Sequence, residues 1–199
     1  LYQKTSLNQL IVGGLIFLGI WCNIENVFKL IPNGVIYAQG KWVVFYIGIS
    51  KLFDMATGVN QEIVGTSKYY KIDLLFYLFL VVVAIITNLI FIPLYGITGA
   101  AIASAISIFL FNTIRFLFLL YVFKIQPFSL NTLKVLGVFL LTLLVSYIIT
   151  PINNFVLDLI LRSLMVVVLF GGLMLLFKIS DDVQHIVTAV YLRIKKLFY

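Results

Sequence analysis

The stretch Asn88-Leu89-Ile90-Phe91-Ile92-Pro93-Leu94-Tyr95-Gly96-Ile97-Thr98-Gly99-Ala100-Ala101-Ile102-Ala103-Ser104 decides the fold. It joins two apolar runs, about 72–92 and about 97–123, each long enough to cross a bilayer core of about 30 Å as a helix. Pro93 stops the first run and Tyr95-Gly96 precedes the second, so the connection from Pro93 to Gly96 is very short. A link of that length forces the two helices antiparallel. Strands of a membrane barrel would alternate apolar and polar at every second residue, whereas Leu78 to Ile86 is apolar throughout. A helical hairpin is predicted.

The same pattern recurs on both sides. Runs at about 7–31, 42–65, 133–150 and 155–177 bring the total to about six, and Pro151 to Asn154 makes the last two a second tight hairpin. The predicted fold class is all-α: a polytopic transmembrane helix bundle over 1–178, followed by a C-terminal amphipathic interfacial helix over 179–199. Ser180 supplies an N-cap there and Asp181 and Asp182 fill the first turn. Val183, Ile186, Val187, Val190, Ile194 and Leu197 recur at helical spacing, with Arg193, Lys195 and Lys196 mostly opposite, as on a helix lying among anionic headgroups.

Composition agrees and excludes other classes. The chain is 63% hydrophobic and 11% charged, against about 45–50% and about 25% in soluble domains. Its net charge of +7 has no contiguous basic stripe interleaved with aromatics, so membrane lipids rather than nucleic acid are the expected partners. One cysteine, Cys22, excludes an intramolecular disulfide, and one histidine, His185, excludes a His-His metal site. There is no Gly-rich phosphate loop and no GxSxG elbow, so no enzyme, cofactor or metal is expected. The alternative of a glycan polymerase or glycosyltransferase subunit would have to be built from scattered Arg, Asp and Glu. With both ends cytoplasmic, Lys4, Lys68, Lys71, Lys124, Lys134, Lys178, Arg193, Lys195 and Lys196 lie inside against Lys29 and Lys41 outside, which satisfies the positive-inside rule.

Charges within the runs are the candidate functional residues, because each one at bilayer depth costs about 2.5–3.5 kcal/mol and needs a partner or a cavity. Lys51, Asp54, Gly58, Gln61, Glu62 and Gly65 step by three and four down one face of run 42–65, and Lys51 and Asp54 are close enough to pair. That face lines either a substrate path or a structural ion pair. Asn112 and Arg115 lie on run 97–123, where Arg115 either snorkels to the interface or pairs with Asp54, Glu62 or a lipid phosphate. Asp158 with Arg162, and Glu25 with Lys29, are each four apart and predict intrahelical pairs. Thr142, Ser146 and Thr150 are expected to bond back to the preceding turn. Gly99, Ala103 and Ser107, and likewise Gly96, Ala100 and Ser104, form small-residue rows for helix packing.

The quoted stretch, with Asn112 and Arg115 after it and Lys51-Leu52-Phe53-Asp54-Met55-Ala56-Thr57-Gly58-Val59-Asn60 and Ser67-Lys68-Tyr69-Tyr70 before it, resembles the C-terminal region of bacterial polysaccharide flippases, the O-antigen type exporters of the MOP superfamily. The resemblance covers about residues 7–150, and related drug exporters share its Gly-x-x-Gly-Ala-Ala element more loosely. It implies two helical lobes that rock to carry an undecaprenyl-linked glycan across the bacterial inner membrane, with a multidrug or cation antiporter as the alternative. It also implies about 12–14 helices, so this chain is expected to be a fragment that works with missing N-terminal helices or as a homo-oligomer. Lys51, Asp54, Gln61, Glu62, Asn112 and Arg115 are the candidate substrate or ion pathway residues.

Overall fold

The computed structural model describes residues 1–184 and 188, apart from the side chain of Val35. The helices are α1 (Tyr2–Cys22), α2 (Ile24–Leu30), α3 (Gly34–Ala38), α4 (Lys41–Thr57), α5 (Asn60–Gly65), α6 (Tyr70–Phe118), α7 (Leu130–Ile148) and α8 (Phe155–Leu176). A π-helical turn, Leu119–Phe123, follows α6, and there is no strand among the described residues. By length and composition, α1, α6 with its π turn, α7 and α8 are the four helices able to cross a membrane.

The predicted reversal lies inside α6. Gly96 has φ 56° and ψ −131°, a conformation open essentially to glycine alone. The Thr87 hydroxyl lies 3.1 Å from that of Ser107, although a straight helix would separate these residues by about 30 Å. Tyr77 meets Phe111 and Asp73 meets Arg115 on the same antiparallel register. Legs 70–95 and 97–118 are thus packed side by side. Gly99, Ala103 and Ser107 are buried at this seam, and a β-carbon on Gly99 would strike the Phe91 carbonyl. The second row faces away: Gly96 and Ser104 are exposed.

Two predicted runs are interrupted. Run 7–31 ends as a helix at Cys22, where the Asn23 amide donates to the Gly19 carbonyl at 2.9 Å and to the Ser163 hydroxyl at 3.2 Å. Run 42–65 breaks at Gly58 (φ 64°, ψ −137°), so α4 and α5 are separate helices and the stripe from Lys51 to Gly65 is not one continuous helical face. A β-carbon at Gly58 would strike the Ser6 hydroxyl of α1, so both the backbone conformation and the contact require glycine.

α1 is the axis of the bundle. It packs against α4, α7 and α8, and Leu7, Leu10, Ile11, Phe17 and Leu18 share a core with Val135, Val138, Phe139, Val166, Phe170 and Met174. The α6 hairpin packs on α4 and α5. Its first leg exposes Leu78, Val81, Val82, Ile85, Ile86 and Leu89, while Thr57, Asn60, Asp73, Asn112, Arg115 and Asp158 are buried. An apolar exterior around a polar interior is the arrangement that hydrocarbon solvent favours. A helix begins at Asp181, and the Ser180 hydroxyl just before it donates to Asn8 at 2.7 Å. The rest of the predicted amphipathic helix, including His185, lies outside the described residues.

Gly96→Ala is expected to lower stability by about 1–3 kcal/mol through forced backbone strain. Gly137→Ala should be close to neutral, since that helical glycine is exposed and nothing lies within 4 Å of where the β-carbon would sit. Denaturant titration of both variants in detergent micelles checks this, and equal losses would contradict it.

Candidate functional site

A polar seam runs between α4, α5 and the two legs of α6, and Asn112 is its hub. Its Nδ2 donates to Asp54 Oδ1 at 2.9 Å and to the Ile108 carbonyl at 3.1 Å. Its Oδ1 accepts from Asn60 Nδ2 at 2.9 Å and faces the Thr57 hydroxyl at 3.2 Å. Both donors and both acceptor positions of the amide are therefore engaged, which is what burial of an Asn demands. The break at Gly58 makes this geometry, because it turns the chain so that Thr57 from the end of α4 and Asn60 from the start of α5 converge on one oxygen.

Asp54 Oδ2 lies 3.4 Å from Lys51 Nζ, and both side chains are about half exposed. So exposed a pair contributes little to stability. One turn along from Asn112, Arg115 is 1% exposed. Its guanidinium donates to Asp73 Oδ1 at 2.6 Å and to Gln61 Oε1 at 3.3 Å. It also stacks 4.1 Å from the Phe111 ring and 4.9 Å from the Tyr77 ring, while Nε has no hydrogen-bond partner. The charge is held by one carboxylate, one amide and two aromatic faces.

Beside the seam lies a cleft of about 480 Å³ lined by Asn8, Gln9, Asp54, Asn60, Gln61 and Glu62, among others. No Lys or Arg is on its wall among the described residues. Asn8 also donates to Asp182 at 2.6 Å, and Lys4 pairs with Asp182 at 2.7 Å, which fixes the segment after α8 against α1 at the cleft mouth.

The candidate residues read from the sequence gather here. Lys51, Asp54, Gln61, Asn112 and Arg115 are bonded into the seam, and Glu62 is an exposed residue of the cleft wall without an ion pair among the described residues. The partner of Arg115 differs from the prediction: it is neither Asp54, Glu62 nor a lipid phosphate, and the side chain does not snorkel outward. Asp73, Asn60 and Thr57 were missed. Asp73 was open to arithmetic, because a hairpin reversing near residues 94–96 places residue 73 across from residue 115.

No family model, curated protein or solved structure matches the chain. Its chemistry therefore rests on its own residues.

A second polar cluster closes the opposite end of the bundle. Asp158 accepts from Arg162 Nε at 2.8 Å, as the spacing predicts, and also from Asn26 at 2.5 Å and the Ile152 amide at 3.0 Å. Arg162 donates onward to the Ser146 and Ile149 carbonyls, stapling α8 to the end of α7. Thr142 bonds back to the Val138 carbonyl at 2.8 Å, again as the spacing predicts. Glu25 does not pair with Lys29. Both lie one turn apart in α2, but Glu25 accepts from Lys41 at the start of α4 at 2.9 Å, and this bond holds its carboxyl below the usual carboxylate range.

Asp73→Asn is expected to cost about 3–5 kcal/mol by leaving Arg115 charged and buried without a counter-ion. Combining Asp73→Leu with Arg115→Met should restore most of that loss, because removing both charges also removes the desolvation cost. Unfolding titrations of the single and double variants decide it, and additive losses would contradict a charge-paired seam.

Proposed function

We propose that the chain forms one lobe of a multi-pass transporter of the bacterial inner membrane that flips lipid-linked oligosaccharide or polysaccharide units. In this reading α1, α4, both legs of α6, α7 and α8 cross the bilayer. α4 has 17 residues, which at about 1.5 Å each span most of the hydrocarbon. Lys4, Lys68, Lys71, Lys124, Lys134 and Lys178 then fall on the cytoplasmic side and Lys29 and Lys41 on the other.

The observation that carries the proposal is the polar seam, in which Lys51, Asp54 and Asn112 are linked in turn and Arg115 lies one turn along, bonded to Asp73 and Gln61, with a cleft beside it. Ionisable groups at bilayer depth mark substrate and ion paths. Arg115 is already neutralised by Asp73, which leaves Lys51 as the cation able to meet a pyrophosphate group and Asp54 as the carboxylate able to exchange a coupling cation or proton. The resemblance of the Gly96 hairpin and its flanks to O-antigen type flippases supports this choice of cargo. A second reading, a drug or cation antiporter, is favoured by one observation: among the described residues the cleft wall carries the carboxylates of Asp54 and Glu62 and no Lys or Arg.

In the cells that make the protein, Asp54→Asn and Lys51→Ala in the full-length gene should each lower surface glycan about tenfold or more, the effect of losing one charged hydrogen bond of about 1.5–3 kcal/mol. Lipid-linked precursor should accumulate while membrane levels of the protein stay unchanged. Glycan display by flow cytometry and precursor by thin-layer chromatography are the measurements. Normal display in both variants overturns the proposal, and altered tolerance of cationic dyes in its place supports the antiporter.

A further inference from the structure

The end of the bundle away from Tyr2 and Leu176 holds a cavity of about 280 Å³ where the end of α1, α2, the start of α4, the end of α7 and the start of α8 meet. Neither the proposed transport path nor any residue of the Asn112 seam takes part in it. Its floor is rigid and internally satisfied: Asn26, Asp158 and Arg162 are fixed to one another and to the Ser146 and Ile149 carbonyls. Its walls carry Lys29 and Lys41.

The charge balance of the lining is informative. Three cations, Lys29, Lys41 and Arg162, face two carboxylates, Glu25 and Asp158. Asp158 is bonded to Arg162 and Glu25 to Lys41, so Lys29 is left without an ion pair among the described residues and the cavity retains one positive charge. Lys41 uses one of its three N–H donors on Glu25, and its ammonium lies 5.6 Å from the Trp21 ring centroid. A collar of tilted and edge-to-face rings, Trp21, Trp42, Phe45 and Tyr46, stands next to it. Aromatic rings of this kind concentrate at the depth of lipid headgroups, and this is the end where the candidate spans α1 and α7 finish and α8 begins.

We infer that this cavity is a binding site for a phosphate group, held by Lys29 and the free donors of Lys41 over the Asp158–Arg162 floor. One net positive charge matches one phosphodiester charge, and ammonium groups with several donors suit its oxygens. The source of that chemistry is the headgroup of an anionic lipid such as phosphatidylglycerol, or else free phosphate. The aromatic collar and the position at the ends of the candidate spans favour the lipid.

The test uses the full chain in nanodiscs of phosphatidylcholine alone, of phosphatidylcholine with phosphatidylglycerol, and of phosphatidylcholine alone with inorganic phosphate in the buffer. Thermal midpoints and retained lipid by native mass spectrometry are read in each. The wild type should be stabilised by phosphatidylglycerol and keep one molecule bound. Lys29→Gln should bind it about fivefold more weakly, the equivalent of about 1 kcal/mol for one lysine near an anionic surface. Lys134→Gln, at the other end of the bundle, should leave retention unchanged. Each variant is compared with itself in phosphatidylcholine, so a loss of basal stability in Lys41→Gln does not obscure the result. Stabilisation by inorganic phosphate alone, lost in Lys29→Gln, would support the site and assign it to free phosphate. Equal responses of wild type and Lys29→Gln, or no response to either anion, would overturn the inference.

Discussion

Hydrocarbon offers no hydrogen bonds, so a polar side chain among apolar helices has only the protein to bond to. The buried polar groups of this chain are organised by that constraint. Asn112 has every donor and acceptor engaged, Arg115 is covered by a carboxylate, an amide and two rings, and Asp158 accepts three bonds. These networks also fix the packing. The first ties α4 and α5 to the hairpin, the second ties α2, α7 and α8 together, and α1 supplies the apolar core between them.

The backbone breaks are part of the same solution. Gly58 and Asn23 each end a helix short of the length of its apolar run, and each break brings polar residues into reach of partners far along the chain. At Gly58 the result is the convergence of Thr57 and Asn60 on Asn112. After Asn23 it is the bond from Asn26 to Asp158 and the pairing of Glu25 with Lys41. A continuous helix over run 42–65 would have left its side chains in a single row.

What could be read in advance follows the distance over which each interaction acts. The hairpin at Pro93 to Gly96, the Asp158–Arg162 pair and the back-bonded Thr142 depend on residues close in sequence, where helical spacing or a short link determines geometry. The positions of α7 and α8 were legible for the same reason, since long apolar runs ended by Pro151 have few alternatives. The candidate residues were recognisable as charges at membrane depth, but their partners were not. Arg115 meets Asp73 across 42 residues, and Lys41 meets Glu25 across 16. The break at Gly58 was hidden because a glycine inside an apolar run is tolerated in a helix as often as it ends one, and here contact with Ser6 on another helix decided the outcome.

The register of the α6 hairpin has a consequence for biogenesis. Asp73 is synthesised well before Arg115, so the first leg emerges carrying a carboxylate whose counter-ion does not yet exist. Once the second leg has followed through the reversal at Gly96, the two ends come together as a neutral couple. Packed together, the two legs bury both charged groups against each other, whereas either leg by itself carries one of them bare.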